Sequence, residues 1–151
     1  MNAALHQAHG RPPLSGLHAF LLGVLAVGLT NALSELVIYG QLIVPRIAGS
    51  DRVPLGAFAL MYLPVLAACL WLGWRAGTIG NALWMACGAS LVAQLEKAAL
   101  AWAEASGHEA SLALTGPTRF WTLHFVRMSA GFFVLVLAVH AARAWRARRL
   151  R

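Results

Sequence analysis

The sequence predicts an all-α integral membrane protein, a bundle of four transmembrane helices with both termini in the cytoplasm. Three observations point there. Of 151 residues, 60% are hydrophobic and 11% are charged, against roughly 45–50% and 25% in soluble domains. The apolar residues gather into four long runs. The basic residues stand at the ends of those runs, and Arg143, Arg146, Arg148, Arg149 and Arg151 crowd the C-terminus.

Residues 1–13 are polar, with His6, His9, Arg11 and the pair Pro12–Pro13, and read as a short cytoplasmic tail. The transmembrane domain covers residues 14–142. Its first span runs over about 14–44, longer than the roughly 20 residues a bilayer crossing needs, so a tilted or protruding helix is expected. A polar connection with Arg46, Asp51 and Arg52 follows. The second span is 54–74, with Pro54 suited to a helix start. Pro64, inside that span, predicts a kink because it removes a hydrogen bond and crowds the preceding turn. Arg75-Ala76-Gly77 is a tight turn, and the third span is 78–101. A longer loop with Gly107, Gly116 and Pro117 leads to the fourth span, 120–142, and residues 143–151 form a basic cytoplasmic tail.

Tryptophans mark both headgroup levels. Trp71, Trp74 and Trp145 fall at one, Trp102 and Trp121 at the other, while Trp84 reads as internal packing. Orientation follows from counting arginines. Arg11, Arg75 and the C-terminal five share one side, which is therefore cytoplasmic, and Arg46, Arg52 and Arg119 lie opposite. A signal peptide with its apolar part at Phe20–Leu29 is the competing reading. The run continues through Leu36-Val37-Ile38, which favours a retained helix. Alanine and arginine dominate where lysine appears once, the bias of a GC-rich bacterial genome, so the expected location is the inner membrane.

The net charge of +7 raises nucleic acid as a partner. The placement of the arginines beside apolar spans argues for membrane lipids instead. Cys69 and Cys87 both fall inside apolar spans and read as buried packing thiols, with no metal site.

Ionisable groups within spans cost about 2.5–3.5 kcal/mol each at a helix centre, so they are the functional candidates. Helix rise places Asn31, Glu35, Gln94, Glu96, Lys97, His124 and Arg127 in the outer third of the bilayer. Spacings of three and four residues put Asn31, Glu35 and Tyr39 on one stripe, Ser90, Gln94 and Lys97 on a second, and His124, Arg127 and Gly131 on a third. Glu35, Lys97, His124 and Arg127 form the expected ligand-binding or proton-relay cluster, with Asn31, Gln94 and Tyr39 as hydrogen-bonding neighbours. Mutual neutralisation that merely locks the bundle explains the same residues. Glu96, about 100° from Lys97, points elsewhere, to the headgroups or to another helix. Near the cytoplasmic face, His18 and His140 stand at matching depth and are possible ligands of a b-type haem. Small pairs such as Ala86 with Ser90 and Ala89 with Ala93 allow close helix contact.

No nucleophile elbow, phosphate loop or paired-cysteine motif occurs, so the expectation leans away from an enzyme. It favours an accessory or binding subunit of a membrane assembly, carrying a polar site near the outer leaflet. The alternatives are an autonomous solute or proton transporter acting as a homo-oligomer, and a membrane enzyme or haem- or quinone-binding protein.

Overall fold

The computed structural model describes residues 14–34, 37, 55–106 and 118–150. Among them are four helices and no strand: α1 (Gly16–Leu33), α2 (Leu55–Arg75), α3 (Ile79–Ala105) and α4 (Thr118–Arg149). Two of them are long and apolar enough to cross a membrane, Gly16–Leu33 and the Val126–Arg149 part of α4.

Local chemistry sets the helix ends. Ser15 caps α1, its hydroxyl accepting the His18 N–H at 3.3 Å, which satisfies one of the amides left over in a first turn. At the other end, Ser34 donates its hydroxyl to Thr30 O at 2.8 Å, and the helix loosens into a π turn at Ser34 and Val37. The regular part of the first expected span therefore ends at Leu33. Its continuation over residues 38–44 lies outside the described residues.

Helix α2 begins one position after Pro54 and stays helical through Pro64. After Arg75 the chain turns through Ala76, Gly77 and Thr78. Thr78 then caps α3 by accepting the Asn81 N–H at 3.1 Å. Helix α4 runs past the expected end of its span at residue 142 to Arg149. No glycine or proline interrupts Phe132–Arg149. Alanine and arginine are strong helix formers, and Arg146, Arg148 and Arg149 in the last turn suit the negative end of the helix dipole. The arginine tail is thus largely the last turns of a helix.

Consecutive helices are neighbours at α1–α2 and α3–α4, but the tight turn between α2 and α3 does not set those two side by side. The two largest interfaces are α1 on α3 and α3 on α4, followed by α2 on α4 and α1 on α2. Although a tight turn joins them, α2 and α3 pack against each other less than any of these pairs, and α1 and α4 scarcely meet. The order around the bundle is α1, α3, α4, α2. The contacts also fix direction. Gly16 lies against Trp84, Gly23 against Met85 and Ala89, and Gly28 against Val92, so α1 and α3 run parallel. Gly73 lies against Val136 and Val139, and further along Ala76 lies against His140 and Arg143, so α2 and α4 run parallel too.

Backbone approach explains this order. A Cβ on Gly23 would run into Met85 O, and one on Gly88 would run into Phe20 O. The two glycines let α1 and α3 touch main chain to main chain. The rest of the α3 face is equally small: Ala82, Ala86, Ala89 and Ala93 are all buried. Among the described residues fifteen apolar side chains are buried, of which seven are alanine and one, Leu72, is leucine. The large side chains are outside, including Leu17, Leu21, Leu25, Leu29, Leu63, Leu70, Leu83, Leu91 and Leu95. Just 17% of the α1 span and 11% of the α4 span are buried, the reverse of a core helix in a soluble domain.

The cysteines are both free. Cys69 is buried as expected, but Cys87 is exposed, because the side of α3 that it occupies looks outward. Trp84, expected as internal packing, is half exposed. It meets Phe20 edge-on at 6.3 Å and covers Gly16.

Candidate functional site

Among the described residues, the polar contacts between helices fall into three groups, each at a different seam. At the far end of the α1–α3 seam, Asn31 donates its Nδ2–H to Glu96 Oε2 at 3.3 Å. Both side chains are half-buried. The π turn follows directly on α1, with Ser34 buried and Thr30 donating to Ala26 O and Val27 O. Glu96, one step round the helix from the stripe of Lys97, thus faces α1. It is the partner of Asn31 that stripe counting passed over, and Lys97 lies half-buried beside it in sequence.

At the α3–α4 seam, Ser90 donates to Ser129 O at 2.8 Å and Ser129 donates to Ser90 O at 3.0 Å. The two hydroxyls cross-link the helices through their main chains, a use that serine readily finds between helices in an apolar medium. Beside this clasp opens a groove of about 390 Å³, lined by Ser90, Gln94, Val126, Ser129, Ala130, Phe133 and Val134. Gln94 therefore belongs to the α4 side of α3, separate from the Asn31–Glu96 pair. Arg127 is exposed and is not part of the groove lining. Gly131 has no atom within 4 Å of where its Cβ would stand. The expected α4 stripe, at Arg127 and Gly131, looks outward, and the residue meeting α3 is Ser129. Sequence spacing held no sign of this, since Ser129 is an isolated hydroxyl in an apolar run.

Two of the seven candidate residues, Glu35 and Tyr39, lie outside the described residues. His124 sits on α4, with its side chain likewise outside them. Among the others, the structure brings Asn31 to Glu96 and places Gln94 in the groove. It leaves Arg127 at the surface.

The third group is at the opposite end, where α2 stops. Arg143 of α4 donates to Trp74 O and, at 3.3 Å, to Ala76 O, and its guanidinium lies 5.5 Å from the Trp74 ring centre. His140 Nδ1 is 3.1 Å from Ala76 O. Since a carbonyl only accepts, that nitrogen carries a proton in this contact. The two α4 side chains close the carbonyl end of α2, where cations are favoured. His18, the other half of the expected haem pair, is exposed, with Nδ1 2.6 Å from Ser15 Oγ. The two histidines lie at the same end of the bundle but on α1 and α4, the helices that scarcely meet.

Comparison of the chain with protein-family models, with curated proteins and with solved structures gives no match. The site must therefore be read from its own chemistry. Among the described residues, no three of His, Cys, Asp and Glu converge to hold a metal ion, and no fully buried side-chain nitrogen or oxygen lacks a hydrogen-bond partner. The polar groups found so far bind helices to helices. The α3–α4 groove, open at the side, is mostly apolar, with Ser90, Gln94 and Ser129 as its polar lining.

Proposed function

We propose that this chain is a four-span protein of a bacterial inner membrane, N-in and C-in, serving as an accessory or binding subunit of a larger membrane assembly. The observation that carries this reading is the inverted distribution of size. Small residues line the inside of the bundle, and leucine, valine and tryptophan cover the outside of all four helices. Water would penalise that exterior at about 25 cal/mol per Å² of apolar surface, whereas lipid does not. Helices α2 and α3, of 21 and 27 residues, are ~31 and ~40 Å long, and a hydrocarbon core of ~30 Å fits within each. The shared end of α1 start, α2 end and α4 end carries the arginines, as a cytoplasmic face does.

The accessory role is supported by how the polar side chains are used. Asn31, Glu96, Ser90 and Ser129 bond across helix seams, and the open groove beside Gln94 offers an amide to a neighbouring helix. Polar groups of this kind join helices in membranes.

Native mass spectrometry of protein extracted gently from its own membrane tests the proposal. Co-migrating subunits that leave when Gln94 is replaced by leucine support it. A chain that arrives alone, in which Asn31→Leu abolishes a measured solute or proton flux, replaces it with the autonomous transporter. The half-buried Asn31–Glu96 pair is the observation favouring that second reading, because a membrane carboxyl group is a natural place to take up a proton.

A further inference from the structure

The two ends of the bundle differ sharply in charge. At the α2–α4 end, Arg75, Arg146, Arg148 and Arg149 are exposed. Trp71, Trp74 and Trp145 lie in the same terminal turns of α2 and α4, each about half exposed. Arg75 stacks 5.5 Å from the Trp71 ring centre, and Arg149 stacks 3.7 Å from that of Trp145. The acidic residues of the described helices, Glu96 and Glu104, are both in α3, at least ~26 Å along from its start at this end. No carboxylate among the described residues neutralises the arginines.

Arg143 behaves differently from the rest. Its donors are engaged by the last carbonyls of α2, so it is a structural clamp. Among the described residues no hydrogen bond engages the other four guanidinium groups, which leaves their donors to an outside partner. Stacking on an indole orients the flat of a guanidinium and leaves its N–H edges free, a fork that matches the oxygens of a phosphate. Just inward of the cluster, α2 continues with exposed Leu63, Leu66 and Leu70. A ligand that meets the arginines, the indoles and this apolar face together needs an anionic head joined to a hydrocarbon tail.

We infer that the α2–α4 end of the bundle is a binding surface for anionic phospholipid, with headgroup phosphate on Arg75, Arg146, Arg148 and Arg149 and the glycerol region beside Trp71, Trp74 and Trp145. The inference rests on the membrane reading above. A zwitterionic lipid carries the same phosphate with an ammonium beside it, so a cluster of uncompensated arginines discriminates against it, and the gain is about fivefold for each basic residue near the surface.

The test uses the full chain, reconstituted in vesicles of phosphatidylcholine alone and in a mixture with phosphatidylglycerol, and read by native mass spectrometry of the lipids retained. The protein is expected to keep phosphatidylglycerol over phosphatidylcholine by about fivefold or more. Replacing Arg146, Arg148 and Arg149 together by glutamine brings the ratio near one, and Arg127→Gln at the other end leaves it unchanged. Equal retention of the two lipids by the unaltered chain, or an undiminished preference in the triple variant, overturns the inference. So does binding of soluble polyglutamate without any preference for phosphatidylglycerol, which assigns the surface to an acidic protein segment. A chain stripped from both vesicle types by alkali overturns the membrane reading itself. Insertion into both with no lipid preference overturns only the lipid surface.

Discussion

Helix α3 makes two seams, and they work by opposite means. Toward α1 it presents Gly88 among buried alanines, and the two main chains touch with Gly23 on the other side. Toward α4 it presents Ser90 and Gln94, and the contact is a pair of hydroxyl-to-carbonyl bonds beside an open groove. On the membrane reading proposed above, no hydrophobic force favours one helix surface over another, so association depends on close packing and on interhelical hydrogen bonds. The α1–α3 seam uses mainly the first and the α3–α4 seam the second. A packed seam tolerates no added atom, whereas a bonded seam with a groove beside it has room to adapt. It is the second seam that suits contact with something else.

The largest effect should come from adding a methyl group to the packed seam. Gly88→Ala places a Cβ against Phe20 O and 3.0 Å from Val24 N, backbone atoms that cannot rotate away. The expected loss is about 1–3 kcal/mol, as for overpacking generally, measured by reversible unfolding in mixed micelles. An unchanged stability would show that α1 and α3 do not meet at these glycines.

Next comes the clamp at the end of α2. Arg143→Ala removes two charge-assisted contacts to carbonyls and should cost about 1–2 kcal/mol in the same measurement. Hydrogen exchange at the last turn of α2 should rise with it. A uniform rise across all helices would instead mean a global effect.

The same glycine-to-alanine change on the outward face of α4 should act in the opposite direction. Gly131 has open space where a Cβ would stand, so Gly131→Ala is expected to stabilise by about 0.5–1 kcal/mol through helix propensity alone. A loss there would reveal a neighbour covering this face, and comparison of the variant with and without the native membrane would locate it.

The smallest effect belongs to the serine clasp. Ser90→Ala and Ser129→Ala should each cost about 0.6 kcal/mol, the average for hydrogen bonds between membrane helices, and a double-mutant cycle measures how far they act together. If either alone matched the Gly88 effect, the distinction between packed and bonded seams would fail.

Much of the helical layout was legible in the sequence. Apolar runs bounded by Arg75, Gly77 and the C-terminal arginines give the helices, because length and hydropathy are one-dimensional properties. The polar site was legible only in part. Counting residues by threes and fours orders side chains on one helix but says nothing about which neighbour each face meets. Spacing turns Glu96 away from the Lys97 stripe, to the headgroups or to another helix, and does not say that the helix is α1 and the partner Asn31. Arg127 seemed to point inward, yet it is exposed, and Ser129 carried no sign of its partner.

By itself the sequence determined the helical class, the concentration of arginine and tryptophan at helix ends, and the presence of small residues able to bring helices close. Those follow from composition and short-range order. The order of the helices around the bundle was decided only by the tertiary structure. The turn at Ala76–Thr78 would allow α2 and α3 to lie side by side. What separates them is that Gly23 and Gly88 let α1 and α3 approach main chain to main chain, and Gly73 does the same for α2 and α4. Contact at that distance requires two particular faces to coincide, and such coincidence is a property of pairs of helices and of no single stretch of chain.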